Sequence, residues 1–326
     1  MFMLHSTSDI RSLTSDSHNL IEMRTSVNDA FRAPVLTDSS GEYRIVKWPF
    51  IPAPVLFGDT TLISQCSVSR LHEFVDLSFA WDGPISLAVF VQSSSSLFTV
   101  VNYLLNLQLC LPHALRKVSV QLVMPLSSSV DCCTEFVDAS CSKFFSKFDE
   151  HWADVRNYDS TIDYPNNLLR NIAIDAAMSD YIFVVDVDMI PSSGLFHQFR
   201  EFTVKWPSDR KVAYVVPVFE MQVKSEMPLD RNELLQMWDH GIIQPFYRKL
   251  CWKCQRYTDY DMWHNLKLKH AAEINIAYVV EYHDPWEPYY IVDQKAPKYD
   301  IKFKNYGFNR ISQVCKYLYF VLTASV

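Results

Sequence analysis

Glycine is scarce in this sequence, where only 6 of the 326 residues are glycine. The six are spread along the chain, and no two share a short loop: Gly41, Gly58, Gly83, Gly194, Gly241 and Gly307. A P-loop and a dinucleotide-binding G-x-G-x-x-G motif both need several glycines within one turn, so that the backbone can approach a phosphate closely. Both motifs are therefore excluded. If the protein binds a nucleotide phosphate, we expect a metal ion to provide much of the binding.

A surplus of basic residues and long apolar runs are also missing. The formal net charge is -7, whereas a protein that binds nucleic acid through its phosphates needs a basic face. No apolar run approaches the roughly 20 residues that a transmembrane helix requires. The first residues, MFMLHSTSD, have neither the basic region nor the apolar core of a signal peptide. We expect no nucleic-acid partner and no transmembrane anchor in this sequence.

The composition is typical of a globular protein, with 49% hydrophobic, 21% charged and 14% aromatic residues. Residues 1–57 are polar and are then interrupted by prolines, which predicts an N-terminal lead-in or stem. From residue 58 onward, strand-like and helix-like patterns alternate. We expect one catalytic domain over residues 58–315, followed by a short segment of different character, 316–326.

Short apolar runs in the first half of this domain alternate with amphipathic stretches. The runs predict strands at Thr60–Ser64, Ile85–Val91 and Val118–Met124, and the stretches between them predict helices at Arg70–Phe79 and Leu97–Leu109. This alternation predicts an α/β fold with a central, mainly parallel sheet flanked by helices. Later patterns predict helices at 136–148, Tyr164–Ala177, Gly194–Phe202 and Arg231–His240, and strands at Tyr181–Val185, Val212–Val218 and Tyr278–Val280.

The most informative stretch is YIFVVDVDMIP, residues 181–191. Its first five residues are apolar or aromatic, which predicts a strand buried on both faces. Asp186 and Asp188 follow where this strand should end, and because one residue separates them they project to the same side. Paired carboxylates suit a divalent cation, and the carboxyl ends of strands are where open α/β folds bind their ligands. The pattern therefore predicts a cation site.

Two other interpretations of the D-x-D pair stay open. The pair could form a solvated turn that caps the next helix, although the buried strand before it and the Pro191-Ser192-Ser193 segment after it disfavour this. It could also supply the aspartyl nucleophile of a phosphatase. Such a pair stands near the start of its domain and is followed two residues later by Thr or Val, whereas this pair lies in mid-chain and is followed by Ile190.

The eight cysteines are compatible with a secreted protein or one of an organelle lumen, but their spacing is not that of a small disulfide scaffold. Cys251 and Cys254 stand in a C-x-x-C arrangement. This pair could be a redox couple, half of a zinc site or a disulfide hairpin, and no second pair at zinc-site spacing accompanies it. The sequence alone leaves these three possibilities open.

Five segments occur in the order seen in a known protein family. They are YPNNLLRNIAIDAAMSDYIFVVDVDMIPSSGL (164–195), VVPVFE (215–220), LCWKCQ (250–255), DPWEPYYIV (284–292) and YGFNRISQVC (306–315). The combination resembles the Golgi glycosyltransferases that extend the O-mannose glycan of α-dystroglycan, glycosyltransferase family 49. The resemblance runs from about Thr61 to Cys315.

The resemblance implies a GT-A type nucleotide-sugar transferase fold. It implies an inverting transfer of glucuronic acid from UDP-glucuronic acid to a xylose-terminated O-mannosyl glycan, in β-1,4 linkage. It also implies Mn²⁺ as the cofactor, bound at Asp186 and Asp188. Location on the lumenal side of the Golgi membrane and partnership with a LARGE-type glycosyltransferase are further implications.

Two departures from the family pattern affect these expectations. After YGFNRISQVC the family continues to a histidine, expected in the metal shell, and to a lysine, expected near the donor diphosphate. Residues 316–326 read KYLYFVLTASV, so neither has a counterpart, and we expect a truncated terminus or a buried strand there. His283 matches no ligand of the family. The family's N-terminal membrane anchor is not found either.

The transfer needs a base for the acceptor hydroxyl, and the loop Asp284–Val292 offers two carboxylates. We expect Glu287 first and Asp284 second, because a carboxylate beside Trp286 on a proline-framed loop is partly desolvated. Trp286 and Tyr289 offer flat faces on which an acceptor sugar could lie. The alternatives are a loop-bracing role for Glu287 and core positions for the two rings.

Four polar residues are candidates for donor binding. Gln65 and Arg70 follow the first strand, where GT-A folds bind the uridine end of the donor. Asn167 and Arg170 lie on the helix that leads to the D-x-D strand, and Arg170 could pair with the donor carboxylate or a phosphate in bidentate fashion. Ordinary surface or helix-face roles are the alternative for all four.

The sequence supports two functional hypotheses. The first is an active, metal-dependent glucuronyltransferase. The second is a catalytically impaired or truncated relative that binds the donor or a partner transferase without turnover.

Overall fold

A computed structural model describes residues 17–49, 54–128, 163–206, 212–222, 225–266, 276–305, 309–314 and 321–325, and the single residues Cys141, Phe145, Ile274 and Gly307. The predicted helix at 136–148 lies outside the described residues except at Cys141 and Phe145. Within the described chain, no helix is both long enough and apolar enough to cross a membrane.

The described residues form twelve strands and ten α-helices. The strands are β1 Leu36–Thr37, β2 Tyr43–Lys47, β3 Thr60–Ser67, β4 Ile85–Phe90, β5 Val118–Pro125, β6 Tyr181–Val184, β7 Val212–Val216, β8 Phe219–Met221, β9 Ile243–Pro245, β10 Ile276–Val280, β11 Tyr289–Asp293 and β12 Val321–Ser325. The helices are α1 Ser17–Arg32, α2 Glu73–Ala80, α3 Ser94–Cys110, α4 Pro112–Leu115, α5 Asn166–Asp175, α6 Leu195–Lys205, α7 Arg231–Asp239, α8 Trp252–Gln255, α9 Tyr260–Asn265 and α10 Ile311–Val314. Ten of the strands form one sheet in the order β1-β2-β5-β4-β3-β6-β11-β7-β12-β10, and β8 pairs with β9 separately.

Four neighbouring strands in the centre of this sheet, β5, β4, β3 and β6, are parallel. Every residue of β3 and of β4 is buried, as expected for strands with helices on both faces. The predicted α/β fold with a central parallel sheet is confirmed, and the strands outside this block are mostly antiparallel. The carboxyl ends of the four parallel strands lie at one edge, so residues that follow β3 and β6 are brought close together.

The side chains of adjacent residues of β3 lie on opposite faces of the sheet. Leu62 and Ile63 are both fully buried, and they belong to different apolar cores. Leu62 packs in the core that also contains Phe74 of α2, whereas Ile63 packs in the core that contains Leu169 of α5. The sheet is therefore sandwiched between helices, as the uninterrupted apolar runs predict.

The second half of the predicted loop Asp284–Val292 is a strand. β11 lies between β6 and β7 and is antiparallel to both, with Ile291 opposite Phe183 and Tyr214. The sequence Tyr-Tyr-Ile-Val has high β-propensity, but the prolines before it favoured a loop prediction. Because β11 runs against β6, its amino end lies at the same edge of the sheet as the D-x-D pair.

Part of the predicted lead-in belongs to the sheet. β2 pairs with β5 along its whole length, and β1 pairs with β2 at the sheet edge. Val27 of α1 and Trp48 are buried in one of the apolar cores. The separation of residues 1–57 as a stem therefore misses the edge strands, which are short and partly polar. At the other end, β12 pairs in parallel with β7, which agrees with a strand in the C-terminal segment.

An aromatic cluster packs the start of α6, which follows the D-x-D pair, against the sheet. The Trp81 ring lies 5.4 Å from that of Phe196 and 6.2 Å from that of Phe183. Gly83 makes this packing possible, because a Cβ atom there would stand 2.4 Å from Cδ2 of Phe196. The start of α6 therefore packs directly over the turn between α2 and β4.

We expect Gly83→Ala to lower the free energy of unfolding by about 1–3 kcal/mol, since the added methyl group must displace a buried ring. Urea denaturation followed by fluorescence measures this change. Asp82→Ala is a matched control, because Asp82 is exposed and its pair with His197 lies at the surface. Its effect should stay within about 0.5 kcal/mol. Equal stabilities of Gly83→Ala and the wild type would contradict the packing argument.

Candidate active site

A cleft of about 700 Å³ opens at the carboxyl edge of the parallel block. Its lining comes from the ends of β3 and β6, from α5, from the β8–β9 pair, from α8 and from the turn before α10. Of the residues predicted to form the site, seven line this cleft: Gln65, Arg70, Arg170, Asp186, Asp188, Glu287 and Tyr289.

Asp186 and Asp188 lie in the turn that directly follows β6. The backbone continues the strand by one residue, since the amide of Val185 donates to the carbonyl of Ile63 over 3.0 Å. The chain then turns, with the amide of Met189 donating to the carbonyl of Asp186. Each aspartate side chain is 34% exposed, so both carboxylates face the cleft while their backbone stays attached to the sheet.

Asp186 is surrounded by hydrogen-bond donors. Its Oδ2 accepts from Nη2 of Arg310 at 2.6 Å and from the hydroxyl of Tyr289 at 2.9 Å, and its Oδ1 accepts from Nη2 of Arg170 at 3.3 Å. Burial alone would raise the pKa of Asp186, but the charges of Arg310 and Arg170 hold this pKa well below its ordinary value. Asp186 therefore stays ionised at any pH at which the protein works.

Asp188 shares an arginine with a buried glutamate. Nη2 of Arg70 donates to Asp188 at 2.9 Å, and Nε of the same guanidinium donates to Glu73 at 2.6 Å. Burial and the neighbouring charge of Asp186 raise the pKa of Asp188 in spite of Arg70. Burial raises the pKa of Glu73 to about 7, and Arg70 offsets only part of this effect. The guanidinium of Arg70 thus donates hydrogen bonds to two carboxyl groups, those of Asp188 and Glu73. The pKa of each is nevertheless raised.

The acidic pair fits a divalent cation in its chemistry. Carboxylate oxygens are the ligands that Mn²⁺ and Mg²⁺ prefer, and both groups are open to the cleft. The described residues contain no cluster of three or more His, Cys, Asp or Glu side chains that could hold a metal ion. Within this part of the chain, the protein offers two oxygen ligands, and arginines currently balance their charge.

Glu287 lines the same cleft, on the loop that leads into β11. Burial raises the pKa of its carboxyl group, although Arg310 and Arg170 act in the opposite direction. Its peptide groups are both engaged, because its amide donates to the carbonyl of Cys254 and its carbonyl accepts from the side chain of Gln255, each over 2.8 Å. Glu287 is therefore a partly desolvated carboxylate on a fixed backbone.

Three predicted site residues do not reach the cleft. Asp284, the second candidate base, lies exposed outside the cleft lining. Trp286 is fully buried, and its indole N–H donates to Thr258, so its ring offers no face to an acceptor sugar. Asn167 is also fully buried, and its amide group binds the carbonyls of Asp300 and Asn309. An aromatic ring beside prolines can face inward or outward, and the ring of Trp286 faces inward because it packs in the core.

The other predicted residues reach the cleft with partners of their own. The carbonyl of Gln65 accepts from the hydroxyl of Tyr164. Arg170 donates to Asn167 as well as to Asp186. The ring of Tyr289 is covered by the guanidinium of Arg310, whose central carbon lies 4.2 Å from the ring centre. This cover leaves Tyr289 better placed to hold Asp186 than to stack on a sugar.

Arg310 is the main residue that the sequence analysis missed. It is 8% exposed, lines the cleft and carries a pKa held well above the ordinary arginine value by Asp186, in spite of its burial. The nearest signal in the sequence is Gly307, which adopts a positive φ of +106°, but a glycine does not single out an arginine three residues later. Nothing in the local pattern distinguishes this arginine from a surface residue.

Two disulfides narrow the alternatives for the cysteines, although a disulfide is also the oxidised form of a redox couple. Cys251 is bonded to Cys254, which excludes a zinc site at this pair, and Cys110 is bonded to Cys141. The first disulfide closes the turn at the start of α8, and Cys254 lines the cleft. The C-x-x-C pair is thus a disulfide hairpin beside the site.

The raised pKa of Glu73 predicts a pH dependence of stability. Its carboxyl group binds a proton more tightly in the folded protein than in the unfolded chain, so stability is lost as the pH rises from 4.5 to about 7. We expect Glu73→Gln to remove this loss, so that its stability relative to the wild type grows by about 1–3 kcal/mol across this window. Denaturation at several pH values measures the difference. The exposed Glu201→Gln should run parallel to the wild type, and a parallel curve for Glu73→Gln would refute the prediction.

Comparison with known proteins agrees with this geometry. Residues 59–322 match the family model described as "Glycosyl-transferase for dystroglycan". Beta-1,4-glucuronyltransferase 1 of Danio rerio is 36% identical over 298 residues, which are 86% of this chain and 69% of that protein. The Homo sapiens protein of the same name is 35% identical over 305 residues, 90% of this chain and 72% of the relative.

A more distant relative is xylosyl- and glucuronyltransferase LARGE2 of Mus musculus, which is 26% identical over 269 residues, 82% of this chain and 32% of that protein. The predicted resemblance and enzyme class are confirmed, and a parallel block that ends in a D-x-D pair agrees with the predicted GT-A type of α/β fold. The chain therefore belongs to the family of glycosyltransferases for dystroglycan and is a glycosyltransferase related to glucuronyltransferases.

Proposed function

We propose that this chain is a metal-dependent, inverting glucuronyltransferase. Its donor is UDP-glucuronic acid, its acceptor is a xylose-terminated O-mannosyl glycan, and the linkage formed is β-1,4. The names of the relatives support the transferred sugar and the linkage. The observation that carries the proposal is the cleft itself, in which two carboxylates and three guanidiniums meet at the carboxyl edge of the parallel strands.

The three arginines suit an anionic donor. UDP-glucuronic acid brings a diphosphate and a sugar carboxylate, and guanidinium groups bind such groups through paired hydrogen bonds. Arg70, Arg170 and Arg310 supply these cations in our proposal. All three side chains line the cleft, where a donor would bind. Gln65, near the end of β3, serves the uridine end.

Asp186 and Asp188 would hold the divalent cation, for which we propose Mn²⁺. When bound, such an ion acts as a Lewis acid and neutralises negative charge on the departing UDP. The hydroxyl of Tyr289 fixes the orientation of Asp186, because it donates to the oxygen that also faces Arg310. The chain's own contribution is thus two oxygen ligands, of which Asp186 is oriented by Tyr289 and kept ionised by Arg310 and Arg170.

Glu287 is the proposed base. During inverting transfer, the acceptor hydroxyl forms a bond to the anomeric carbon, the bond from this carbon to the phosphate oxygen breaks, and UDP leaves. The hydroxyl proton passes to the carboxylate of Glu287. A raised pKa makes this carboxylate a better proton acceptor near neutral pH. Asp284 lies outside the cleft, so Glu287 replaces the two-residue prediction.

We extend the proposal to location and partners. Two disulfides in the described chain agree with an oxidising compartment, which supports the lumenal side of the Golgi membrane. A LARGE-type glycosyltransferase is the proposed partner, as the family resemblance implies, and xylosyl- and glucuronyltransferase LARGE2 is among the relatives of this chain.

The acidic pair supplies the first functional test. We expect the double variant Asp186→Asn, Asp188→Asn to lower the rate of UDP release from UDP-glucuronic acid, with Mn²⁺ and a xyloside acceptor, by at least about 100-fold. The single variant Asp188→Asn should lose activity as well. It keeps the ion pair between Arg70 and Glu73, and this limits the effect on folding.

Asp175→Asn is the control for this test, because Asp175 is exposed and its ion pair with Lys298 lies at the surface. It should be as active as the wild type. Unchanged UDP release by the folded double variant would refute the proposed cation site. Donor binding by calorimetry without any UDP release from the wild type would instead identify a relative that binds the donor and does not turn it over.

Glu287 supplies the second functional test. We expect Glu287→Gln to lower kcat by about 100-fold or more, with little change in the KM of the donor, because an amide cannot accept the hydroxyl proton. In the wild type, activity should fall as the pH drops through the raised pKa of Glu287, and the variant should lose this acid limb. Glu281→Gln, an exposed residue before the loop, is the control. A variant with full activity would remove Glu287 from the mechanism.

A further inference from the structure

We propose that the segment Cys251–Thr258 acts as a clamp that positions Glu287, and that Gln255 is a positioning residue for sugar transfer. The proposal rests on the proposed role of Glu287 as the base. The clamp comprises α8 and the 3₁₀ turn that follows it, Arg256–Thr258. Its distinguishing feature is that it binds the backbone of the base rather than its carboxylate.

Both peptide groups of Glu287 are bound by neighbouring residues of the clamp. The amide of Glu287 donates to the carbonyl of Cys254 at 2.8 Å. The side-chain amide of Gln255 donates to the carbonyl of Glu287, also at 2.8 Å. Gln255 is 2% exposed, so water cannot readily replace this bond. These two hydrogen bonds hold the backbone on both sides of the Glu287 Cα atom, and they therefore fix the position from which its side chain extends.

The residue before the base is anchored to the same segment. The indole N–H of Trp286 donates to the hydroxyl of Thr258 at 3.1 Å, and the ring is fully buried. The amide of Trp286 donates to the carbonyl of His283, which closes the loop on itself. Three hydrogen bonds therefore join two consecutive loop residues to one short segment.

The clamp is itself held rigid. The disulfide between Cys251 and Cys254 closes its first turn, and the amide of Cys254 also donates to the carbonyl of Cys251 at 2.8 Å. At the other end, the hydroxyl of Tyr278 donates to the carbonyl of Thr258 at 2.9 Å. Bonds within the segment and bonds to β10 thus keep it in place, so it can act as a fixed support.

A support of this kind affects the chemical step more than substrate binding. Misplacing a reacting group by about 1 Å can cost a factor of roughly 100 in rate. The arginines that contact Asp186 lie on other elements, so loosening the clamp leaves the donor side of the cleft unchanged. A loosened Glu287 would also regain water, and this would lower its raised pKa.

Gln255→Met tests the clamp, because methionine has a similar length but donates no hydrogen bond. We expect kcat to fall by about 10-fold while the KM of UDP-glucuronic acid changes by less than about 2-fold. The acid limb of the pH–kcat profile should move to lower pH. Thr258→Val, which removes the bond to Trp286 with little change of shape, should give the same pattern more weakly and covers the case in which Gln255→Met folds poorly.

A double-mutant cycle separates positioning from general stability. In a Glu287→Gln background, Gln255→Met should cause no further loss of kcat, because its effect acts through Glu287. Gln121→Met is the matched control, since Gln121 of β5 is equally buried and its side chain bonds Ser86 of β4 and Ser119 of β5, away from the clamp. It should lower thermal stability without moving the pH profile.

The outcomes distinguish the two proposals. An inactive Glu287→Gln combined with a Gln255→Met variant of wild-type kcat and pH profile overturns the clamp alone. The clamp is also overturned if Gln255→Met lowers kcat by the same factor in the wild type and in the Glu287→Gln variant. A fully active Glu287→Gln overturns the base assignment and the clamp together.

Discussion

The charge on Asp186 is the constraint on which the site depends. A carboxylate that is largely withdrawn from water is costly unless opposite charges and hydrogen bonds compensate it. Here Arg170, Arg310 and Tyr289 provide that compensation, and they come from α5, from the residue before α10 and from β11. One side chain therefore holds four elements of the fold in a common arrangement, and the same side chain is the proposed ligand of the cation.

The cleft is built for a ligand that carries both signs of charge. A cation alone would leave the arginines beside Asp186 without their counter-ion, and an anion alone would face the acidic pair. A nucleotide diphosphate accompanied by a divalent ion satisfies both groups at once. In the proposed function, side-chain cations and a metal take the place of the backbone cradle of a phosphate loop, which a chain with few glycines does not have.

The local sequence pattern was sufficient to predict the parallel strands and the position of the acidic pair after one of them. β3, β4, β5 and β6 are short apolar runs, and Asp186 and Asp188 follow one of them directly, so adjacent residues carry the whole signal. Arg310 could not be found in this way, since its partner lies 124 residues earlier in the chain. Trp286 could not be placed either, because an aromatic side chain on a loop has no period from which its direction follows. The strand β11 was hidden by the prolines before it.

The antiparallel insertion of β11 has a consequence for the order in which the molecule can assemble. The strands that precede Asp186 can pair while the later part of the chain is still unfolded, since β3, β4, β5 and β6 come first in sequence. At that stage the acidic pair has Arg70 and Arg170 nearby but neither Tyr289 nor Arg310. The pairing of β3 with β6 and the contacts of Asp186 with Tyr289 and Arg310 all join segments more than 100 residues apart, so each of them requires a long loop to close. Two of the three partners of Asp186 thus come from the part of the chain that follows it, and the charge of this carboxylate is fully compensated only when both β11 and Arg310 are in place.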